Sequence, residues 1–219
     1  MAGILFIISA PSGSGKSTLV SQLRTLVAGL DFSISYTTRA PRGSEENGRE
    51  YYFISREEFE RMVARGDFLE WAEVFGNYYG TAMSALDHAR EAGRDLLLDI
   101  DVQGAVQVMN KLPAAVSIFI LPPSPQVLEM RLRNRSMAEH VTSEAVIEGR
   151  LAEARNELKR IDDYKYALVN DVLEQAVAEM RAIVLFERGE REGTQELAAS
   201  CRTDAASQRL KSALQTFGA

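Results

Sequence analysis

Ile4-Leu5-Phe6-Ile7-Ile8 is an unbroken apolar run that ends in a turn rich in glycine and serine. A short run of that kind bounded by turn residues reads as a buried strand. Beyond the turn, Leu19, Leu23, Leu26 and Val27 recur at helical spacing, so a helix is expected from Ser17 to about Ala28. Asp95-Leu96-Leu97-Leu98-Asp99-Ile100-Asp101 and Val116-Ser117-Ile118-Phe119-Ile120-Leu121 are two further buried strands. The second closes on Pro122-Pro123, after which Ser124 is placed to cap a helix whose first residue is Pro125 and which runs to about Arg133. Tyr166-Ala167-Leu168-Val169 is a fourth strand, and Leu173 to Phe186 is a helix beside it. Strands that alternate with helices imply an α/β fold with a parallel sheet.

Between the first helix and the Asp99 strand the pattern changes. Residues of about 33 to 83 carry short segments such as Tyr51-Tyr52-Phe53-Ile54 and Phe68-Leu69-Glu70-Trp71, which read as an inserted, β-rich lobe. Within it Ser55 and Glu58 have capping-box spacing, Ile54 and Phe59 have staple spacing, and Gly66 closes the helix they open. Tyr52 and Trp71 are read as core aromatics of this lobe. After Arg188 large apolar residues are scarce until Leu210, Leu214 and Phe217, so the tail is expected to be mobile or a peripheral helix.

The 219 residues are 46% hydrophobic and 26% charged, a globular balance, and the formal net charge of −6 argues against wholesale nucleic-acid binding. Any anionic ligand must therefore be drawn by a local basic cluster. A lone cysteine, Cys201, excludes an intrachain disulfide, and the early apolar run is too short for a signal peptide or a membrane span. A cytoplasmic protein without a membrane anchor is expected. His88 and His140 have no partner at ligand spacing, so neither is assigned a catalytic or metal role.

The turn itself is Ser9-Ala10-Pro11-Ser12-Gly13-Ser14-Gly15-Lys16-Ser17-Thr18. Between a strand and a helix this is a phosphate-binding loop, with Ala10 in place of the first glycine of G-x-x-x-x-G-K-[ST]. Gly13 and Gly15 let successive N–H groups converge on a phosphate, Lys16 supplies a point charge, and Ser17 offers a hydroxyl to Mg²⁺. Asp99 ends a strand as a Walker-B acid does. Asp101 lies two residues on, so both carboxylates are expected to leave an extended chain on one side and orient water and Mg²⁺. Arg39 and Arg42 flank a proline, and two guanidinium forks on one loop suit a phosphate dianion.

Taken together, Ala10 to Ser17, the Arg39 loop, Asn47-Gly48, Tyr51-Tyr52, Glu70-Trp71, Gly76 to Thr81, Asp99 to Gly104 and Val169-Asn170-Asp171 resemble guanylate kinase, in order, from about Gly3 to Glu187. The resemblance implies a P-loop NTPase-type core (residues 1–32 and 84–187), a mixed α+β lobe (about 33–83) that holds GMP, and a helical lid (about 131–150). Residues 188–219 would be an extension. It implies phosphoryl transfer from MgATP to GMP in purine nucleotide metabolism, with ATP and GMP as partners and self-association left open. ATP would meet the loop from Ala10 to Thr18 together with Asn170. GMP would meet Ser35, Arg39, Arg42, Tyr51, Glu70, Tyr79, Gly80, Thr81, Asp99 and Asp101.

Glu70 has the right chemistry for a base reader, because guanine offers N1–H and N2–H donors that a carboxylate accepts as a pair. Lid arginines in the family match Arg131, Arg135 and Arg150, which with Lys16, Arg39 and Arg42 form the expected catalytic set. Asn134 stands where family lids usually carry glycine, and the interval from Arg135 to Arg150 is longer by about one helical turn. Closure of lobe and lid over the two nucleotides is expected. Two other readings stay open: a guanylate-kinase-like module that binds a protein without catalysis, which would show a degraded phosphate loop, and a kinase for another nucleoside monophosphate.

Overall fold

The structure, a computed structural model, describes residues 3–138 and 143–218. His140 and the middle of the expected lid lie outside the described residues. The chain begins with β1 (Leu5–Ser9), α1 (Lys16–Leu26), β2 (Leu30–Phe32), β3 (Tyr36–Thr37), β4 (Tyr52–Phe53) and α2 (Arg56–Arg65). It continues through β5 (Phe68–Val74), β6 (Asn77–Ala82), α3 (Met83–Ala92), β7 (Asp95–Asp99), α4 (Val102–Lys111), β8 (Val116–Leu121) and α5 (Pro125–Ala138). Then come α6 (Glu144–Leu158), a 3₁₀ turn (Ile161–Asp163), β9 (Tyr166–Val169), α7 (Leu173–Glu187), α8 (Gln195–Ser200) and α9 (Gln208–Phe217).

Two compact units share β1: residues 1–7 with 29–115, and residues 8–28 with 116–219. In the first unit β2 pairs with β7 in parallel, Leu30 opposite Asp95, and β7 neighbours β1. The lobe lies wholly in this unit as a second sheet of order β4-β3-β6-β5. Its one helix, α2, obeys its local signals. Ser55 Oγ accepts from the Glu58 amide at 3.1 Å, and Gly66 closes the helix at φ 74°. Phe59 and Met62 of α2 bury against Phe68, with Tyr36, Ile54 and Tyr78 around them.

In the second unit β8, buried along its whole length and apolar but for Ser117, lies between β1 and β9, pairing with β9 in parallel from Ile118↔Tyr166 to Leu121↔Val169. Helices α5 and α6 meet through Leu128, Leu132 and Ala154, where Leu151 and Phe217 also pack.

Several expectations need correction. Trp71 is 38% exposed and Tyr52 36%, so neither is a core residue. A bulge at Leu69 shifts the β5 register, which turns Glu70 inward opposite Thr81 and leaves Trp71 on the outer face. Strand β7 stops at Asp99. Asp101 instead caps α4, its Oδ1 accepting from the amides of Gln103 (2.7 Å) and Gly104 (3.0 Å), so the two carboxylates do not share one face of a strand. Arg150 sits within α6, which starts at Glu144, and α5 runs on to Ala138. Of the two expectations for the tail, the helical one matches: it is folded as α8 and α9.

Candidate active site

Gly15 stands at the N-cap of α1 with φ 85°, the left-handed region, and no side chain caps that helix. A helix N-terminus of this kind suits an anion. A Cβ at Gly15 would lie 2.4 Å from Asn170 Nδ2, so the loop needs glycine here for room as well as for its backbone conformation. The Ser14 amide donates to the Pro11 carbonyl at 3.1 Å, which closes the turn; Ser14 Oγ is buried without a hydrogen-bond partner among the described residues. Ala10 is buried, so the missing first glycine leaves the turn intact.

Around this loop the second unit gathers residues far apart in sequence. Asn170, just past β9, donates from Nδ2 to the Ser14 carbonyl at 2.7 Å. Arg131 of α5 donates to the carbonyls of Ser14 (3.3 Å) and Asn170 (3.0 Å), and Arg135, one turn on, reaches Ser12 Oγ at 3.4 Å. Arg150 reaches Ser136 Oγ at 3.2 Å, which ties α6 to the helix that carries the other two. Burial lowers the Arg131 pKa, yet an arginine remains cationic far above neutrality. Arg133 points elsewhere and pairs with Glu129 and Glu144.

A second group of candidate residues gathers in the first unit. The Arg39 side chain is only 9% exposed. It is gripped by Glu45 through NH1 (2.9 Å) and NH2 (3.0 Å), and its guanidinium lies 5.4 Å from the centre of the Tyr51 ring. Tyr79 meets Tyr51 edge-on at 5.8 Å. Burial works against the Arg39 charge, but pairing with Glu45 and the Tyr79 hydroxyl outweighs it and raises the pKa. Arg39 Nε is buried without a hydrogen-bond partner among the described residues. Arg42 is exposed on the same loop, its amide donating to Glu45 at 2.8 Å.

Glu70 is 2% exposed and faces Thr81 across the β5–β6 ladder, with Ser35, Gly80 and Thr81 also buried. Burial pushes its carboxyl up to about 7, assisted by the Asp101 charge and opposed by Thr81 and Lys111. Helix α4 holds it there. Strand β5 is a sheet edge, and α4 satisfies that edge with side chains: Gln107 donates to the Trp71 carbonyl (2.7 Å) and Lys111 to the Leu69 carbonyl (2.6 Å). Those carbonyls flank Glu70. On the same helix face, a Cβ at Gly104 would lie 2.2 Å from Glu70 Oε2, so only glycine leaves the carboxylate its place.

Lys16, Ser17 and Thr18 open α1, and the second unit therefore brings together the loop, Asn170, Arg131 and Arg135, with Arg150 linked through Ser136. The first unit brings together Arg39, Tyr51 and Tyr79, and sets Glu70 opposite Thr81; Asp99 is half-buried at the end of β7. The sequence reading gave no role to Glu45, Gly104, Gln107 or Lys111. A signal existed for the last three, whose 3 and 4 spacing places them on one helix face.

A phosphate loop between a parallel strand and a helix, with arginines around it, and an inserted lobe that buries an arginine side chain and a carboxylate define a P-loop nucleotide phosphotransferase. Comparison with known proteins narrows the class. A guanylate kinase family model matches residues 3–187. The chain is 56% identical to a guanylate kinase of Koribacter versatilis over 99% of its own length and 97% of that protein. It is 50% identical to one of Neisseria gonorrhoeae over 83% of its length and 87% of the relative's. The crystal structure of guanylate kinase from Anaplasma phagocytophilum superposes with a TM-score of 0.70 at 33% identity, covering 94% of this chain and 97% of that one. The chain belongs to the guanylate kinase family, whose members phosphorylate GMP to GDP using ATP.

Proposed function

We propose that the second unit binds the ATP phosphates and the first binds GMP, with guanine read by Glu70 and the GMP phosphate held by Arg39 and Arg42. The buried, partnerless Nε of Arg39 carries this reading, since a guanidinium N–H without an acceptor in so enclosed a place is explained by an anionic ligand. Ionised Glu70 accepts N1–H and N2–H of guanine, while Ser35 or Thr81 donates to O6. Adenine presents a lone pair at N1 and would leave buried groups unmatched, which discriminates by about 10⁴-fold or more. Tyr51 and Tyr79 flank Arg39 and complete the phosphate pocket, and Gly80, Asp99 and Asp101 line the acceptor side.

On the donor side the loop from Ala10 to Thr18 wraps the phosphates, Lys16 and its amides neutralise them, and Asn170 holds the loop by its carbonyl. Arg131, Arg135 and Arg150 supply the charge needed around a phosphoryl group in transfer. The residues suit Mg²⁺ carried in by ATP: Ser17 offers one exposed hard oxygen, and no cluster of three or more carboxylate, histidine or cysteine ligands exists among the described residues. Bound to ATP, the ion would neutralise charge developing on the phosphate oxygens. Transfer is in line, and requires the acceptor oxygen within about 3–3.5 Å of the phosphorus. No strong general base is needed, since the acceptor is already an oxyanion.

We assign the enzyme to the cytoplasm, where both nucleotides are. Among the described residues no helix is long and apolar enough to cross a membrane, and an acidic chain disfavours polyanions. A coupled ADP-release assay with GMP, dGMP, AMP and UMP tests the acceptor site. GMP should exceed AMP by about 10⁴-fold in kcat/KM, and Glu70→Ala should collapse that ratio while leaving KM for ATP in place. An unchanged GMP to AMP ratio in Glu70→Ala would remove Glu70 as the base reader.

A further inference from the structure

Residues 188–219 lie beyond the family match, yet the alignment with the Koribacter versatilis relative, at 99% of this chain, takes in nearly all of them. Their last helix, α9, starts at a Ser207 cap, buries Leu210 and Ala213, and sends Phe217 onto Leu128, Leu132 and Ala154. Leu128 and Leu132 are the side chains that a Cβ at Gly13 of the phosphate loop would meet first. From the same helix Arg209 reaches the segment that follows β9. It donates to the Val169 carbonyl at 2.6 Å, to both carboxylate oxygens of Asp171 (Oδ2 at 3.3 Å), and to the buried Glu179 of α7. Arg209 thus grips the residues on either side of Asn170. Asn170 in turn donates to the Ser14 carbonyl and accepts from Arg131 through its own carbonyl, so α9 reaches the phosphate loop by hydrogen bonds on either side of one covalent step, the Val169–Asp171 backbone.

We propose that Arg209 is a positioning residue of the donor site, and that the C-terminal extension locks the Val169–Asp171 segment so that Asn170 stays on the phosphate loop. This role goes beyond the assignment of Asn170 to the ATP site and rests on it. A charged guanidinium is suited to the task because a single planar group satisfies a backbone carbonyl and two carboxylates from different elements at once. Glu179 is the counterweight: only 4% exposed, it anchors Arg209 to α7 and would be left as a lone buried charge were Arg209 lost.

Steady-state kinetics on the full chain test this, with KM for MgATP measured at saturating GMP and KM for GMP at saturating MgATP. Arg209→Met is made alone and with Glu179→Gln, the pair sparing the fold a stranded carboxylate; thermal melts establish that both are folded. The expected result is a KM for ATP raised about 3- to 30-fold with KM for GMP within about twofold of the parent, and partial return in Arg209→Lys. Adding Arg209→Met to Asn170→Ala should worsen ATP binding little further, because both act on one contact. Unaltered KM for ATP in the folded Arg209 variants, a parallel rise in both KM values, or additivity with Asn170→Ala overturns the role of Arg209 alone. Wild-type KM for ATP in Asn170→Ala removes Asn170 from the ATP site and this role with it.

Discussion

Replacing Glu70 with glutamine should make the ligand-free enzyme more resistant to unfolding at alkaline pH while it weakens GMP binding to a still measurable Kd. The carboxyl is raised from an ordinary 4.5 to about 7, chiefly because burial strips water from it. An acid raised in this way is favoured neutral in the folded state. Between pH 4.5 and 7 the folded chain then binds more protons than the unfolded chain, and stability falls as pH rises through that window. Below it nothing is lost; above it the full cost, roughly 3 kcal/mol, is in place. Glutamine cannot ionise. The stability difference between Glu70→Gln and the parent should therefore grow by roughly 3 kcal/mol from pH 4 to pH 8, or about 6–12 °C in Tm for a chain of this size. The assay is thermal or urea unfolding of both proteins across pH without nucleotide. In the parent, GMP binding takes up the ionised form, so its apparent Kd should rise about fivefold from pH 7 to pH 6. The GMP phosphate also titrates near there, and Glu70→Gln retains that background and isolates the Glu70 contribution. A difference between the two proteins that is flat with pH would show that Glu70 titrates normally and would refute the reasoning.

Gly104→Ala places a methyl against Glu70 Oε2 and should raise KM for GMP by about 10- to 100-fold with KM for ATP little changed; an unaltered acceptor KM would show that the carboxylate has room to move. Gly15→Ala combines a left-handed backbone with a clash on Asn170, and kcat/KM for ATP should drop about 100-fold in a coupled assay, whereas a near-normal value would mean the loop relaxes freely. Ser55→Ala removes the α2 cap and should cost about 1 kcal/mol in urea unfolding with both KM values retained.

Short-range chemistry was legible in the residues. The phosphate loop, the α2 cap and the Gly66 stop are all decided within a turn or two of chain, where steric rules and local hydrogen bonds act without tertiary help. Periodicity likewise placed β1, β8, β9, α1 and α7, because a buried parallel strand or an amphipathic helix writes its environment into its own composition. Arg39 and Glu70 were picked out from charge and hydroxyl clusters together with a family likeness, but nothing in the sequence says that one is gripped by Glu45 or that the other is buried and raised to about 7. Those properties belong to packing. Trp71 shows the limit well: an aromatic beside an apolar stretch reads as core until a one-residue bulge at Leu69 reverses the faces of β5. The Asp99-Ile100-Asp101 segment fails for a related reason, since a helix starting at Val102 claims Asp101 as its cap and ends the strand early. Gly104 under Glu70, Gln107 and Lys111 on the β5 edge, and Arg209 astride Asn170 join segments 34 to 42 positions apart. The 3 and 4 spacing of Gly104, Gln107 and Lys111 marks one face of α4, but nothing in either segment says which strand that face meets. Such contacts exist only once the chain has folded, and they set the surroundings of Glu70 and Asn170.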